Sequence, residues 1–486
     1  MSTIPKKEYE VVILGAGMSG LCMAIQLQRA GIQDFLIVEK STGIGGTWWD
    51  NRYPGAQVDI PAPAYSFSFA PNGEWTHRFA DAPEIQRYQQ RLAEKHGLPA
   101  RMRLGTAITE ARFDEGSGRW QLNLDGGETL SARFFVCSTG QLNIARWPDI
   151  AGLSDYRGQL LHSARWSQGA DLAGERVGVI GTGSTAAQLV PALAKTAASL
   201  KVFQRTPNWV LPRLDRRYGR LDRLLMGLPG YGRLTYKAWC WVLDQGRNGF
   251  EEGTLARRAV VGAASWHLRR QVADPALRAA LVPTYPLGCK RIIYSSDYYP
   301  ALCLPKSELV TAGITRLTAS GVVTADGREH AVDALVCATG YDTTHPLRGL
   351  GVAGLGGRLL VEAWAAGPSA YLGISVPDFP NFFLMLGPNT LTGHTSALLS
   401  LEPQVAHAIA CMQRVRSQKR KWIAVKAAVT QAQDAAVQQR LATSVWSHCN
   451  SWYRTEGGRI VAIWPGFARD YERAARRVDE AAYELG

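Results

Sequence analysis

The 486 residues are 46% hydrophobic and 20% charged, ample for two or three domains with buried cores. A net charge of +13 admits nucleic acid, anionic membrane surfaces or anionic cofactors as partners. The longest Lys/Arg run is Lys419-Arg420-Lys421 and no nucleic-acid module motif accompanies it, so nucleic acid is set aside. No run of about 18 apolar residues is present to form a transmembrane segment.

In chain order, Val11-Val12-Ile13-Leu14 is expected as a buried strand, followed by the turn Gly15-Ala16-Gly17-Met18-Ser19-Gly20 and an amphipathic helix from Leu21 to Ala30. Gly31 closes that helix, and a second strand, Phe35-Leu36-Ile37-Val38, ends in Glu39. Strand, glycine turn, helix, strand and acid together make a complete βαβ unit for a dinucleotide. Gly15 allows the tight turn, Gly17 the approach of a pyrophosphate, and Gly20 the close packing of helix on strand. Around Ser19 the helix N-terminus offers N–H groups and a positive dipole to phosphate. A carboxylate at Glu39 accepts both ribose hydroxyls and repels a 2′-phosphate, which selects FAD or NAD over NADPH.

The plan recurs. The strand Arg176-Val177-Gly178-Val179-Ile180 leads into Gly181-Thr182-Gly183-Ser184-Thr185-Ala186, a helix to about Lys195, and a strand at Leu200–Phe203. Alanine at the third motif position is an accepted variant. This second strand ends without an acid and runs instead into Arg205-Thr206, a cation with a hydroxyl suited to a 2′-phosphate. NADPH is therefore expected here, with Lys290 a further cation that the sequence alone does not bring into place. The rival reading makes Arg205 a surface salt-bridge residue. Two more strands end alike, Phe134–Gly140 in Cys-Ser-Thr-Gly and Ala334–Gly340 in Cys-Ala-Thr-Gly.

From 212 to 283 the sequence turns helix-favouring, rich in Leu, Ala and Arg, and reads as a helical insertion. Its basic residues outnumber its acidic ones, so the choice lies between a solvated face and a peripheral membrane role. The tail from Thr430 is mixed, with a closing helix from Arg469. The expected fold is thus α/β, with two Rossmann-like dinucleotide-binding domains, for FAD and NADPH, and a helical insertion. Residues 1–150 and 343–486 form the FAD domain, 151–211 and 284–342 the NADPH domain, and 212–283 the insertion.

The segment Tyr156-Arg157-Gly158-Gln159-Leu160-Leu161-His162-Ser163-Ala164-Arg165-Trp166-Ser167 resembles the fingerprint of Baeyer–Villiger monooxygenases, F-x-G-x-x-x-H-x-x-x-W followed by Pro or Asp. Tyr156 stands for Phe, and Ser167 departs at the last position. Gly45-Gly46-Thr47-Trp48, Arg52–Asp59 and Tyr65 resemble the family's flavin-side loop. Gly288-Cys289-Lys290-Arg291 resembles its active-site Lys-Arg segment, and Ala338–Asp342 its interdomain linker. Gly387–Thr390 and Trp464–Gly466 also have counterparts. The resemblance implies a cycle in which NADPH reduces FAD, O2 adds at flavin C4a, and NADP+ stays bound. The peroxyflavin then attacks a ketone, giving an ester or lactone.

By the same resemblance Arg291 is the catalytic cation that keeps the peroxide anionic, and Asp59 orients it near the nicotinamide. An Arg suits this role because it cannot deprotonate, and a sheltered Arg wants an acid. The bland readings are a surface phosphate contact for Arg291 and a loop cap for Asp59. His162 is read as a junction residue rather than a catalytic one; His394 lies either near the flavin or at a helix-entry cap. A flavin-containing monooxygenase acting on nitrogen or sulfur is the alternative function. That chemistry needs no anion-stabilising Arg.

The eight cysteines form no C-x-x-C and show no metal spacing, so no metal is expected. A disulfide framework is not expected in so large a chain, and most cysteines read as core thiols. The first ten residues lack the apolar stretch of a signal peptide. A cytoplasmic monomer acting on a small-molecule ketone and O2 is the expectation.

Overall fold

The computed structural model describes residues 7–167 and 169–486. The strand Glu8–Leu14 lies inside a sheet covered on both faces, which is why its apolar residues run consecutively; Val11, Val12 and Ile13 are fully buried. It pairs in parallel with Phe35–Val38 on one side and Thr129–Cys137 on the other. The helix Met18–Arg29 supplies the crossover between the first two strands. The hairpin Ile108–Asp114 and Arg119–Leu124 extends this sheet on one side and the short strand Met102–Arg103 on the other, and late strands at Gly351–Ala353 and Phe382–Leu384 complete its eight strands.

The middle of the chain builds a second sheet of five parallel strands. Their order is Ser307–Val310, Ser199–Phe203, Arg176–Ile180, Ala334–Cys337 and Gln159–His162. The helix Ser184–Thr196 packs on one face, against Val177, Val179 and Val336. Along the chain, between the strands Ser199–Phe203 and Ser307–Val310, come the helices Arg220–Gly227, Pro229–Gln245, Leu255–Gln271 and Pro275–Ala280. Among the described residues no helix is long and apolar enough to cross a membrane.

The paired Cys-x-Thr-Gly strand ends have a physical cause. Gly15 (φ +107°) and Gly181 (φ +114°) open the two glycine turns in the left-handed region. A Cβ on Gly15 would lie 2.8 Å from the Ser138 carbonyl oxygen, and one on Gly181 2.5 Å from that of Ala338. Each turn therefore rests on the end of its neighbouring strand, and neither position admits a side chain. Gly20 is tighter still, with a Cβ falling 1.9 Å from the Gly15 carbonyl oxygen. Backbone on both sides leaves no route to relax. Gly20→Ala is expected to cost about 3 kcal/mol, and a calorimetric midpoint equal to that of wild type would contradict this.

Two expectations need correction. Cys289 and Cys449, 160 residues apart, form a disulfide with their Cα atoms 6.1 Å apart. Spacing carried no sign of it, because tertiary packing alone brings the two segments together. Of the free cysteines, Cys22, Cys137, Cys337 and Cys411 are buried thiols. The tail helix spans Ala468–Arg476 but does not close the chain. A strand, Tyr483–Leu485, follows it and pairs antiparallel with Ile423–Val425, burying its apolar face against the helix Leu398–Ser417.

Candidate active site

The first glycine turn forms a cradle closed by a second loop. The backbone of Gly45 donates to the Ala16 carbonyl at 3.2 Å, drawing Gly45-Gly46-Thr47 across the turn. A Cβ on Gly17 would lie 3.4 Å from the Cα of Gly46, so the walls of the cradle are bare backbone. Ser19 is buried in the first turn of the helix, whose N-cap, Gly17, makes no side-chain cap bond. Thr47 and Trp48 begin the short helix Thr47–Asp50 beside it. Glu39 is 7% exposed. One of its carboxylate oxygens accepts from the Ala16 N–H and the other from the Ser41 N–H, each at 2.8 Å. The Ser138 hydroxyl at the strand end below is buried and has no hydrogen-bond partner among the described residues. Bare backbone, uncapped N–H groups and a fixed carboxylate fit a nucleotide with a free ribose diol.

The second cradle differs in charge. A Cβ on Gly183 would meet nothing within 4 Å, and the helix that Ser184 and Thr185 begin likewise lacks a side-chain cap. Thr182 donates its hydroxyl to the Thr206 carbonyl at 2.9 Å, tying the turn to the end of the neighbouring strand. Lys290 reaches the same point, its Nζ 3.0 Å from the Thr206 hydroxyl and 4.6 Å above the Tyr285 ring. Burial, and then the adjacent Arg205 charge, pull the Lys290 ammonium below its ordinary value. Among the described residues neither cation has a carboxylate partner. Two facing cations without an acid are a site for a doubly charged anion such as a 2′-phosphate.

Lys290 arrives there by strand pairing. Ile293-Tyr294 pairs in parallel with Val210-Leu211, which lays the Lys290-Arg291 segment along the chain leaving Arg205. Arg291 then forms a two-bond fork with Asp59, from Nε at 2.6 Å and Nη2 at 2.8 Å. The two side chains are only 30% and 22% exposed, so Arg291 is not a surface contact. Burial pushes the Asp59 carboxyl up, but the Arg291 charge and its hydrogen bonds outweigh this and hold it below the usual range. Beside the fork, Trp48 donates from its indole to the Tyr65 hydroxyl at 3.0 Å, the rings meeting edge to face. Burial above all raises the Tyr65 phenol to about 12. Trp48 touches the cores of both sheets.

A depressed carboxyl dictates its own pH signature. The stability conferred by the fork is complete above the unfolded carboxylate value of about 4 and is lost as pH falls through the lower folded value. Wild type should therefore lose thermal stability below about pH 4 more steeply than Asp59→Asn. Parallel melting curves against pH for the two proteins would contradict the assignment.

His162 lies at the seam between the sheets. Its Nδ1 accepts the Ala164 N–H at 3.1 Å, which leaves Nε2 protonated to donate to the Arg146 carbonyl at 3.3 Å. Burial lowers its pKa. It touches the 143–147 and 339–341 connections and is not part of the Arg291 cluster. His394 faces the insertion. Its Nδ1 donates to the Thr392 carbonyl at 2.6 Å, and Nε2 lies 3.4 Å from the buried carboxylate of Asp244. Asp244 also accepts the Ala468 N–H at 2.7 Å, clamping the helix Pro229–Gln245 to the tail helix.

Sequence reasoning missed Asp244, Tyr294 and Tyr453. Burial raises both tyrosines, Tyr453 to about 12, and the Arg291 charge acts on each in the opposite sense. No motif marks them. The only hint was that Cys449 precedes Ser451-Trp452-Tyr453, and the Cys289–Cys449 bond fixes that segment next to Lys290-Arg291.

A family model described as pyridine nucleotide-disulphide oxidoreductase matches residues 12–218. A protein of Pseudomonas aeruginosa named Baeyer-Villiger monooxygenase is 38% identical over 100% of this chain and 94% of its own. The crystal structure of OTEMO in complex with FAD and NADP superposes with a TM-score of 0.89 at 27% identity, covering 98% and 99% of the two chains. A steroid monooxygenase bound to NADP gives 0.88 at 29% identity over the same shares.

Proposed function

The chain belongs to the Baeyer–Villiger monooxygenases, and we propose that it inserts one oxygen atom of O2 beside the carbonyl of a ketone. One ketone, O2, NADPH and a proton give one ester or lactone, NADP+ and water. In this reading residues 1–150 with 343–486 bind FAD, and 151–211 with 284–342 bind NADPH. FAD held there supplies oxygen activation, and NADPH supplies the reducing equivalents. The two cradles of opposite charge, with relatives bearing these cofactors, support the assignment.

The observation that carries the reading is the Arg291–Asp59 fork. Attack on a carbonyl places negative charge on what was the carbonyl oxygen, and the attacking oxygen must itself stay anionic. Arg291 offers a charge that cannot be lost to solvent at any working pH. Asp59 fixes the guanidinium plane, so the cation costs little reorganisation when the charge develops. Two donors of the fork are spent on Asp59, which leaves Nη1 of the guanidinium and its remaining N–H groups to serve reacting oxygen. Trp48 and Tyr65, bonded to each other beside the fork, would shelter the reacting groups from water. Glu39 orients one ribose, and Arg205, Thr206 and Lys290 hold the other through its phosphate.

A flavin-containing monooxygenase needs no such cation, so the discriminating experiment pairs substrates. The holoenzyme with NADPH and O2 is given a panel of cyclic and linear ketones beside a thioether, and the products are identified. Ester or lactone from any ketone is expected. Sulfoxide with no ester from the whole panel would overturn the proposal.

A further inference from the structure

The insertion carries an exposed apolar face that nothing among the described residues covers. Among the described residues, eleven of the eighteen exposed large hydrophobic side chains lie between 212 and 283. On the two successive helices Arg220–Gly227 and Pro229–Gln245, the exposed residues Leu221, Leu224, Leu228, Tyr231, Leu234 and Trp241 recur at helical spacing. They are not marginal. Leu221, Leu224, Leu234 and Trp241 are 68%, 67%, 66% and 64% exposed. The opposite side of the same helices is satisfied by the protein, through buried Met226, Tyr236 and Asp244. A helix with one apolar side on the core and a second apolar stripe in water has more apolar surface than its fold requires.

Charge says what covers the stripe. Residues 212–283 hold thirteen Lys and Arg against six Asp and Glu, a local surplus of seven that is more than half of the chain's +13. Arg220, Arg223, Arg233 and Lys237 are exposed on these two helices and, among the described residues, pair with no carboxylate. At helical spacing they run along one margin of the Leu/Tyr/Trp stripe. A second copy of this chain would bring the two basic margins together, which like-charge repulsion opposes. Nucleic acid would meet the cations but gain nothing from Leu221, Leu224 and Leu234. An anionic lipid surface satisfies both: leucine and tryptophan enter the boundary of the acyl chains, while the guanidinium and ammonium groups snorkel to the headgroups.

We infer that the helices Arg220–Gly227 and Pro229–Gln245 dock this protein peripherally on anionic membrane surfaces. The docking element is no remote appendage. Phe250, which ends the turn after the second helix, packs against Gly288, three residues before Arg291. The docked face thus belongs to the module that reaches the Lys290-Arg291 segment.

The test is co-sedimentation of the full-length, FAD-loaded protein with vesicles of phosphatidylglycerol and phosphatidylcholine, beside vesicles of phosphatidylcholine alone. Binding to the anionic vesicles is expected, at least about ten-fold tighter than to the neutral ones and weakened by salt. The combined variant Leu221→Ser, Leu224→Ser, Leu234→Ser, Trp241→Ser should lose it while keeping wild-type NADPH oxidation in solution. Arg220→Gln, Arg223→Gln, Arg233→Gln, Lys237→Gln should lose the preference for anionic lipid. Equal retention of the serine variant and wild type on the vesicles would overturn the inference. So would absence of binding at low salt, or a dimer in solution that the serine variant dissociates, which would make a second copy the occupant.

Discussion

Replacing both Arg205 and Lys290 by alanine is expected to raise the KM for NADPH about 100-fold or more while changing that for NADH little. Lys290 donates to the Thr206 hydroxyl and feels the charge of the neighbouring Arg205, and among the described residues neither cation has a carboxylate partner. A hydrogen bond to a charged group contributes about 1.5–3 kcal/mol, and each 1.4 kcal/mol is about ten-fold in affinity. Lys290→Ala alone should give part of this, and should also relieve the repulsion between the two cations. A small gain in thermal stability without NADPH is therefore expected for the single variant, together with its weaker NADPH binding. Steady-state kinetics with both cofactors decide it, and an unchanged NADPH to NADH ratio would remove the phosphate role from these residues.

Arg291→Ala should lower ester formation about 100- to 1000-fold, the usual effect of deleting one preorganised donor to a developing oxyanion. FAD should remain bound, because Arg291 lies outside the cradle formed by Gly15, Gly17, Gly46 and Glu39. Asp59 is then left sheltered with no cation, and its carboxyl should rise from its depressed position. Restoring the charge with lysine should recover little, since a point charge cannot make the two-bond fork with Asp59. Flavin absorbance and product yield measured on the same samples separate loss of cofactor from loss of chemistry.

These effects were legible in the sequence to different depths. Both glycine turns could be read because each forces an unusual backbone angle or a contact with a carbonyl, as at Gly20, and only glycine survives there. Glu39 and Arg205-Thr206 could be read because they follow a strand at a fixed distance from a motif. Lys290 could not be brought to Arg205 from sequence: the short pairing of Val210-Leu211 with Ile293-Tyr294 does that, and two-residue strands leave no periodic signal. The same holds for Cys449, Tyr453 and Asp244, whose partners lie 150 or more residues away, and Asp244 is moreover the single acid of a helix whose apolar pattern hides it. The insertion was legible as helical and basic. Which of its leucines face water depends on how much of each helix the core takes up, and only the fold decides that.

The most direct measurement of the central claim is the fate of oxygen. The holoenzyme is given a cyclic ketone, NADPH and 18O-labelled O2, and the product is analysed by mass spectrometry. The account predicts a lactone carrying one 18O atom in the ring, with its carbonyl oxygen unlabelled. NADPH oxidation that yields only hydrogen peroxide, or a product without the label, would contradict it.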